Sequence, residues 1–234
     1  ARYQQLRATN KMAERFEDNS QKRGLIWHTQ GSGKSLTMFF TAWKIRYGKY
    51  NNKELSNPKV LVLVDRIDLD DQIYETFINC GGKNVVRVES REHLRDIANS
   101  DDSAIFISTI QKFDETAKDI SNPADNIAVL IDEAHRGQYK DTGIYLRSAF
   151  PNATLFAFTG TPIYKTHQEF GLSKGNPERY LDYYSINQAI EDGVTVPITY
   201  EARLSKFAID EKAIDEEFDL MTSDLSSEEK KVLV

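Results

Sequence analysis

Short apolar runs alternate along the chain with longer stretches in which apolar residues recur at helical spacing. The runs are rich in Val, Ile, Leu and Phe, which is typical of strands buried on both faces of a sheet. Strands are predicted at residues 24–28, 60–64, 85–88, 104–108, 127–131 and 154–158. Helices are predicted near the start and over residues 34–47, 68–80 and 91–98, and residues 49–59 are predicted to form a polar loop. This alternation predicts an α/β fold with a parallel sheet and helices on both faces.

The length and composition of the chain limit the number of domains and the cellular compartment that we expect. The chain has 234 residues, which is enough for one large α/β domain or for one domain with appendages. Its single cysteine, Cys80, excludes an internal disulfide framework and favours a reducing, cytoplasmic compartment. We expect Cys80 to be a buried structural residue rather than a nucleophile. Neither a signal-peptide pattern at the start nor an apolar segment of about 20 residues is found, so we expect no membrane association.

The net charge of −6 narrows the range of functions. A protein that coats DNA passively has a basic surface overall, so this balance argues against that class. It is compatible with a motor that grips phosphates through a few local groups. Residues 210–231 are dense in carboxylates, which is typical either of an acidic surface helix or of a connector toward a further domain.

A glycine-rich string follows the first predicted strand. Residues 28–35 read His-Thr-Gln-Gly-Ser-Gly-Lys-Ser and lead into a predicted helix. Gly31 and Gly33 reach positive φ at little cost, so the backbone can curl until successive N–H groups face phosphate oxygens. Lys34 would place an ammonium on the β- and γ-phosphates of a nucleotide, and Ser35 would place a hydroxyl on Mg²⁺. The string predicts nucleotide contacts from Thr29, Gln30, Gly31, Ser32, Gly33, Lys34 and Ser35.

One position departs from the G-x-x-x-x-G-K-[ST] pattern, because His28 stands where the first glycine is expected. The remainder of the pattern is intact. The alternative is an ordinary Gly/Ser turn before a helix. The order of strand, loop, Lys34-Ser35 and helix favours a phosphate-binding loop, since the N-terminus of the helix adds positive dipole at the phosphates.

Two carboxylates follow the buried strand at residues 127–131. They would lie at the carboxyl end of that strand, where open α/β sheets bind ligands. Asp132 is suited to hold Mg²⁺, directly or through water, and Glu133 to orient and polarise the attacking water. His135 is either a polar residue at a helix start or a link between the nucleotide and the rest of the protein. The predicted catalytic residues are therefore Lys34, Asp132, Glu133 and His135, with Ser35 and Asp132 at the metal.

A third string, Thr159, Gly160, Thr161 and Pro162, follows the strand at residues 154–158. Taken alone, a Thr-Gly-Thr-Pro segment is equally well explained as a simple turn. Its position after the other two strings favours a functional role.

Together these strings resemble the superfamily-two helicases and translocases, and among them the R (motor) subunits of type I restriction endonucleases. The narrower resemblance includes Trp27 before the phosphate-loop string and Arg136 after the carboxylates. It also includes Leu-Val-Asp-Arg-Ile-Asp-Leu-Asp-Asp-Gln at residues 63–72 and Thr-Ile-Gln-Lys at residues 109–112. Further along the chain it includes residues 156–163, 184–193 and 196–198. It extends from about residue 2 to about residue 200.

The resemblance implies a RecA-like P-loop NTPase domain over residues 1–200 that binds ATP and Mg²⁺. Residues 201–234 would form a connector toward a second motor domain. In the family, ATP lies between two RecA-like domains and the second supplies arginines, so we expect this chain alone to hydrolyse ATP poorly. Thr159, Gly160 and Thr161 would couple the nucleotide state to nucleic-acid binding.

The resemblance also assigns a base-reading residue near the start of the chain. By register with the family's adenine-reading segment, Gln5 is the candidate, and a side-chain amide both donates to and accepts from an adenine edge. The alternative is that Gln5 is one exposed polar residue on an amphipathic helix.

The family segments that touch a DNA backbone correspond here to two regions that follow predicted strands. The candidate residues are Arg66, Gln72, Thr109, Gln111 and Lys112. Hydroxyls, amides and cations bind phosphate oxygens without reading bases, which suits this role. Each of these residues could instead be a strand-end cap or an ordinary surface residue.

The function that the resemblance implies is ATP-dependent translocation of duplex DNA before cleavage by a nuclease domain for which the chain has no convincing match. The partners would be duplex DNA and the methylation and specificity subunits of a type I complex. The alternatives are another superfamily-two motor in repair or remodelling, a non-hydrolysing nucleotide-sensing or DNA-binding module, and a P-loop kinase. Intact Lys34, Ser35, Asp132 and Glu133 disfavour the module, and Thr-Gly-Thr-Pro with Asp-Glu-Ala-His disfavours the kinase.

Overall fold

The structure is a computed structural model of the whole chain. It describes residues 1–18, 20–65, 67–132, 139–161, 170, 180–197, 217 and 220–223. Contacts divide the chain into two units, residues 1–196 and residues 197–234. The division predicted from the sequence, at residue 200, stays a prediction, because most of residues 201–234 lie outside the described ranges.

Strands and helices alternate through the first unit. The strands are β1 (Arg23–His28), β2 (Lys59–Val64), β3 (Val85–Arg87), β4 (Ile105–Thr109), β5 (Ile127–Ile131), β6 (Thr154–Thr159) and β7 (Asp182–Tyr184). The helices are α1 (Tyr3–Asp18), α2 (Lys34–Tyr47), α3 (Ile67–Asn79), α4 (Arg91–Asn99), α5 (Ile110–Thr116), α6 (Tyr139–Ala149) and α7 (Ile186–Glu191). Short 3₁₀ turns lie at Lys53–Leu55 and Ala117–Asp119.

All seven strands join one sheet in the order β3-β4-β2-β5-β6-β1-β7. Each neighbouring pair is parallel. Every residue of β2, β4, β5 and β6 is buried, which is why these strands read as unbroken apolar runs rather than as alternating ones. The predicted RecA-like α/β fold is therefore confirmed.

The core lies in two layers, one on each face of the sheet. On one face the strands contact α1, α2 and α3 through residues such as Met12, Met38 and Phe77. On the other face they contact α4, α5 and α6 through residues such as Leu94 and Phe113. Helices on both faces bury alternate side chains of each strand, so the strand ends are left as the place where polar groups can gather.

The exposure of Cys80 and the lengths of the helices can be compared with what the composition predicted. Cys80 is exposed just after the end of α3, so the expectation of a buried cysteine was wrong. Gly81 and Gly82 follow it and end the helix, which leaves the thiol on the outer side of a turn. In the ranges that the structure covers, no helix combines the length and apolar character needed to cross a membrane.

Gly24 allows β1 to fit between its neighbours, which suggests a test of this packing. A methyl group at Gly24 would lie 2.7 Å from Leu181 Cδ2 and 2.9 Å from Phe156 Cδ1. We expect Gly24→Ala to lower the free energy of unfolding by about 1–3 kcal/mol, because a well-packed core resists added volume. Urea titration would measure the loss. Leu181→Ala should relieve part of it in the double variant, and strictly additive losses would contradict this account.

Candidate functional site

The phosphate-loop string forms the tight turn between β1 and α2. Gly31 has φ +76° and Gly33 has φ +84°, the left-handed conformation that glycine adopts without strain. Gly33 occupies the N-cap of α2, and no side chain there caps the helix. The positive end of the α2 dipole therefore lies at the loop without a side-chain cap. Lys34 and Ser35 occupy the first turn of that helix, as predicted for groups that face phosphates.

The buried hydroxyl of Ser32 tests whether a phosphate group fits this loop. Ser32 is only 1% exposed, and its Oγ has no hydrogen-bond partner among the described residues. A buried polar atom without a partner is costly, so such atoms commonly mark a missing ligand. The uncapped helix start, the two left-handed glycines and this hydroxyl all fit an anion with several oxygen atoms.

Gly160 of the third string lies beside the phosphate loop. A methyl group built at Gly160 would stand 3.3 Å from both Lys34 Nζ and Gln30 Cγ. The Gly160 carbonyl accepts a hydrogen bond from Trp27 Nε1 at 3.2 Å. The sequence placed Trp27 only as part of the family-like string and gave no sign that its indole binds the third string. Because Gly160 lies next to Lys34, movement of either residue affects the other.

The other members of the third string form a local turn. The Thr161 N–H donates to Thr159 Oγ1 at 3.1 Å. Thr159 is buried at the end of β6, whereas Thr161 is exposed. The turn therefore runs from the sheet to the surface within three residues, and its coupling role stays a prediction.

Gln5 lies against the phosphate loop rather than on the protein surface. It is 3% exposed, its Nε2 donates to the Gly33 carbonyl at 3.3 Å, and its Oε1 accepts from the Arg2 N–H at 2.8 Å. The alternative view of Gln5 as an exposed helix residue was therefore wrong. Both ends of the amide are engaged by backbone groups, and its predicted role in reading the base stays a prediction.

Asp132 continues the line of β5 by one residue. Its N–H donates to the Leu63 carbonyl at 2.9 Å, so it is held in the sheet, and the residue is buried. Its position at the carboxyl end of β5, next to β6, agrees with the placement expected of a metal ligand in this fold. Glu133 and His135 lie outside the described residues. No cluster of three or more metal-binding side chains occurs in the described ranges.

A site built for Mg²⁺ needs few protein ligands, because this ion keeps several waters and shares phosphate oxygens with the nucleotide. The sequence assigns one hydroxyl, from Ser35, and one carboxylate, from Asp132, to such a site, and this assignment stays a prediction.

The departure from the glycine pattern at His28 has a structural explanation. His28 is fully buried, and its Nε2 lies 2.8 Å from Asp182 Oδ2 on β7. Asp182 also binds Arg7 Nε at 2.8 Å and Lys11 Nζ at 3.1 Å, both from α1. We call His28, Asp182, Arg7 and Lys11 the Asp182 cluster. Sequence reasoning missed it, since Asp182 stands in a short aromatic segment and its partners lie at least 154 residues away in sequence.

The Asp182 carboxyl group is strongly held in its charged form. Burial alone would raise its pKa, but hydrogen bonds donated by His28, Arg7 and Lys11 outweigh this effect and lower the pKa from 3.8 to about 2. Three donors around one buried carboxylate give the cluster a fixed geometry, and the Arg7 contact is bidentate.

Three of the predicted DNA contacts, Thr109, Gln111 and Lys112, lie at the carboxyl end of β4, next to β2 in the sheet. Thr109 is buried and caps α5 by accepting from the Lys112 N–H at 3.4 Å. Lys112 Nζ donates to the Val88 carbonyl at 2.7 Å. Thr109 thus has the capping role that the sequence left open, and contact with DNA stays a prediction for both residues.

Gln111, which follows β4, is hydrogen-bonded to the residue that follows β2. Its Nε2 donates to the Asp65 carbonyl at 2.8 Å, and the side chain is exposed. Gln72 is also exposed, on α3. Arg66 lies outside the described residues.

A model of the SWI2/SNF2 ATPase family matches residues 4–231. The chain is 40% identical over 211 residues to the type I restriction enzyme HindI endonuclease subunit of Haemophilus influenzae, covering 79% of this chain and 19% of that protein. It thus spans about a fifth of the length of this curated relative. The resemblance to type I restriction subunits inferred from the motifs is confirmed.

Two solved structures share the fold. A structure described as a fragment of an HsdR subunit of a type I restriction enzyme from Vibrio vulnificus YJ016 aligns with TM-score 0.57 and 24% identity, covering 82% of this chain and 32% of that one. A nuclease-deletion mutant of the Type ISP restriction-modification enzyme LlaGI, in complex with a DNA substrate mimic, aligns with TM-score 0.52 and 17% identity, covering 97% and 23%. At these identities the likeness establishes the fold alone.

The contact between Gly33 and Gln5 can be tested with a matched pair of glycine substitutions. Gly31→Ala and Gly33→Ala both force alanine into a left-handed conformation, at a cost of roughly 1–2 kcal/mol. Only at Gly33 would the new methyl group collide with the Gln5 amide, whereas nothing lies within 4 Å at Gly31. We expect Gly33→Ala to lower the free energy of unfolding by about 1 kcal/mol more than Gly31→Ala. Adding Gln5→Ala should remove this difference, and its persistence would argue against the contact.

The low pKa of Asp182 predicts a stability change in acid. Its folded pKa of about 2 lies below its ordinary value of 3.8, so the charged cluster stabilises the fold above about pH 4. That contribution should be lost as the pH falls from about 4 to 2 and should amount to roughly 2 kcal/mol. Denaturant titrations across this range should show a smaller pH dependence in Asp182→Asn. Asp125→Asn, at a surface pair with Lys22, is the control and should keep the wild-type profile.

Proposed function

Because the chain belongs to the SWI2/SNF2 ATPase family, we propose that it is the first motor domain of a type I restriction enzyme R subunit. In this proposal it binds ATP with Mg²⁺ and hydrolyses ATP to translocate duplex DNA. DNA cleavage would be carried out by a nuclease domain elsewhere in the same protein.

The observation that carries the proposal is the meeting of three distant sequence strings at one edge of the sheet. The phosphate loop follows β1, Asp132 follows β5 and the third string follows β6. These strands are adjacent and parallel, in the order β5-β6-β1, so their carboxyl ends lie side by side. The glycine turn would bind phosphates, the buried Asp132 carboxylate would hold the metal, and the turn at Gly160 beside Lys34 would provide the coupling, which are the parts that hydrolysis of a nucleotide requires.

Each residue would have a separate task in that reaction. The N–H groups of the loop and the Lys34 ammonium would bind the β- and γ-phosphates and stabilise the charge that develops on them. The Ser35 hydroxyl and the Asp132 carboxylate would hold Mg²⁺, which when bound neutralises phosphate charge. Glu133 would orient a water molecule for in-line attack on the γ-phosphorus, and His135 would link the site to the rest of the motor.

Coupling to movement would begin at Gly160. Its backbone is close to Lys34, and a change in the occupancy of the γ-phosphate site would move this lysine. The turn formed by Thr159, Gly160 and Thr161 would then transmit the change toward the DNA-binding edge. That edge would include Arg66, Gln72, Thr109, Gln111 and Lys112, whose chemistry suits phosphate contacts without base reading.

The remainder of the motor would lie outside residues 1–200. Residues 201–234 would connect to a second motor domain that completes the ATP site, so the chain alone should hydrolyse ATP slowly. The methylation and specificity subunits of a type I complex would be the protein partners, and the cytoplasm the compartment. The named relative supports this context, and the complex of LlaGI with a DNA substrate mimic supports DNA as the polymer.

Another superfamily-two motor, in repair or remodelling, is the second candidate, because the SWI2/SNF2 ATPase model that matches residues 4–231 does not itself specify a restriction enzyme. The two candidate functions predict different behaviour of the full-length protein. A type I R subunit should cleave DNA only with its methylation and specificity subunits, whereas a repair or remodelling motor should show no such dependence.

The first test is ATP hydrolysis by the full-length protein with its partner subunits, in the presence and absence of duplex DNA. We expect DNA to stimulate hydrolysis and Lys34→Ala to reduce the stimulated rate by about 100-fold or more, because the charge that stabilises the transferred phosphoryl group is removed. Lys44→Ala, an exposed lysine on the same helix α2, is the matched control and should keep the wild-type rate. A rate indifferent to DNA, or equal in Lys34→Ala and wild type, would contradict the proposal.

A further inference from the structure

The Asp182 cluster is centred on a buried carboxylate and a buried imidazole, with partly exposed Arg7 and Lys11 around them, and the proposed hydrolysis mechanism gives it no task. The Asp182 side chain is 1% exposed and the His28 side chain is fully buried. Burying charged groups in a protein carries a large desolvation penalty, and a well-packed apolar replacement is often equally stable. The charged cluster adds stability near neutral pH, but apolar side chains could fill the same space, so its geometry is the more informative property.

The cluster joins three elements that surround the phosphate loop. His28 is the last residue of β1 and begins the loop string, Asp182 begins β7, and Arg7 and Lys11 lie one turn apart on the same face of α1. Arg7 binds both carboxylate oxygens, at 2.8 and 3.0 Å, and its Nη2 also donates to the Tyr183 carbonyl at 2.7 Å. The direction of α1 relative to the end of β1 is thus fixed by several hydrogen bonds.

The same helix brings Gln5 to the phosphate loop. Gln5 lies two residues before Arg7, and its amide donates to the Gly33 carbonyl. A helix moves as a rigid unit over a few turns, so a shift of Arg7 away from Asp182 would shift Gln5 relative to Gly33. The loop is held from the other side too, because the Thr29 N–H donates to the Tyr184 carbonyl of β7 at 3.0 Å.

We propose that Asp182 is a positioning residue that holds α1 against the phosphate loop and thereby sets the preference of the site for adenine over other bases. Asp182 acts through Arg7, Lys11 and His28 and does not itself contact the nucleotide. This inference rests on the proposed function, since it concerns the nucleotide site, and on the prediction from the family resemblance that Gln5 reads the base.

The experiment measures equilibrium binding of ATP and of GTP, each with Mg²⁺, to the full-length protein. Binding is measured rather than turnover, so that effects on hydrolysis do not enter. Asp182→Asn keeps the size of the side chain and removes its charge. The matched control is Asp125→Asn, which breaks a carboxylate–lysine pair with Lys22 near the opposite end of β1.

We expect Asp182→Asn to raise the Kd for ATP by about tenfold, which is the loss expected for one charge-assisted contact. The Kd for GTP should rise less, so that the preference for ATP falls toward that of Gln5→Ala. The double variant with Gln5→Ala should show no further loss of preference, because both changes act on the same contact. Asp125→Asn should leave both Kd values and their ratio unchanged.

Equal increases in the two Kd values would overturn the inference, because a purely structural role would weaken both nucleotides alike. Equal affinity of the wild-type protein for ATP and GTP would also overturn it, while leaving nucleotide hydrolysis intact. Failure of the wild-type protein to bind either nucleotide would instead refute the proposed function.

A second variant decides the matter if Asp182→Asn does not fold. Arg7→Lys keeps the positive charge and loses the bidentate contact, so it should disturb the geometry of α1 with a smaller effect on stability. A reduced preference for ATP in Arg7→Lys supports the inference, and a wild-type preference overturns it.

Discussion

Parallel pairing brings the carboxyl ends of all seven strands to the same edge of the sheet, and the chemistry of this chain depends on that constraint. The faces are covered by helices and filled with apolar side chains, so they offer no place for a phosphate or a metal ion. The strand ends are where backbone groups and polar side chains can meet a ligand. Strings separated by about a hundred residues thus become neighbours because β5, β6 and β1 are adjacent.

At this edge of the sheet, glycine backbone atoms lie very close to polar side chains of other segments. A Cβ atom at Gly33 would collide with the Gln5 amide. A Cβ atom at Gly160 would be in tight contact with Lys34 and Gln30. Each of these contacts places a glycine backbone against a long polar side chain. A small displacement of the loop or of Lys34 would therefore shift α1 and the end of β6 directly.

The parts of the structure that follow from local pattern could be predicted from the sequence. The buried strands are recognisable as short apolar runs. The phosphate loop is recognisable by the spacing of its glycines before Lys34 and Ser35 and by its place between a strand and a helix. The strand β7 could not be predicted, because it has three residues, alternates in burial and contains Asp182 and two tyrosines. The burial of Gln5, the bond from Trp27 to Gly160 and the exposure of Cys80 also depend on which elements meet in space, and local sequence carries no signal for that.

The order of the strands in the sheet has a consequence for folding during synthesis on the ribosome. Among the described strands, β1 comes first along the chain, yet it pairs with β6 and β7, which come last. The contact between Arg7 and Asp182 closes a loop of 175 residues. Contacts this distant in sequence form late, because the entropy of loop closure must be overcome before they add stability. The phosphate loop is consequently completed only after nearly the whole domain has emerged, and an unfinished chain carries the motif without a working nucleotide site.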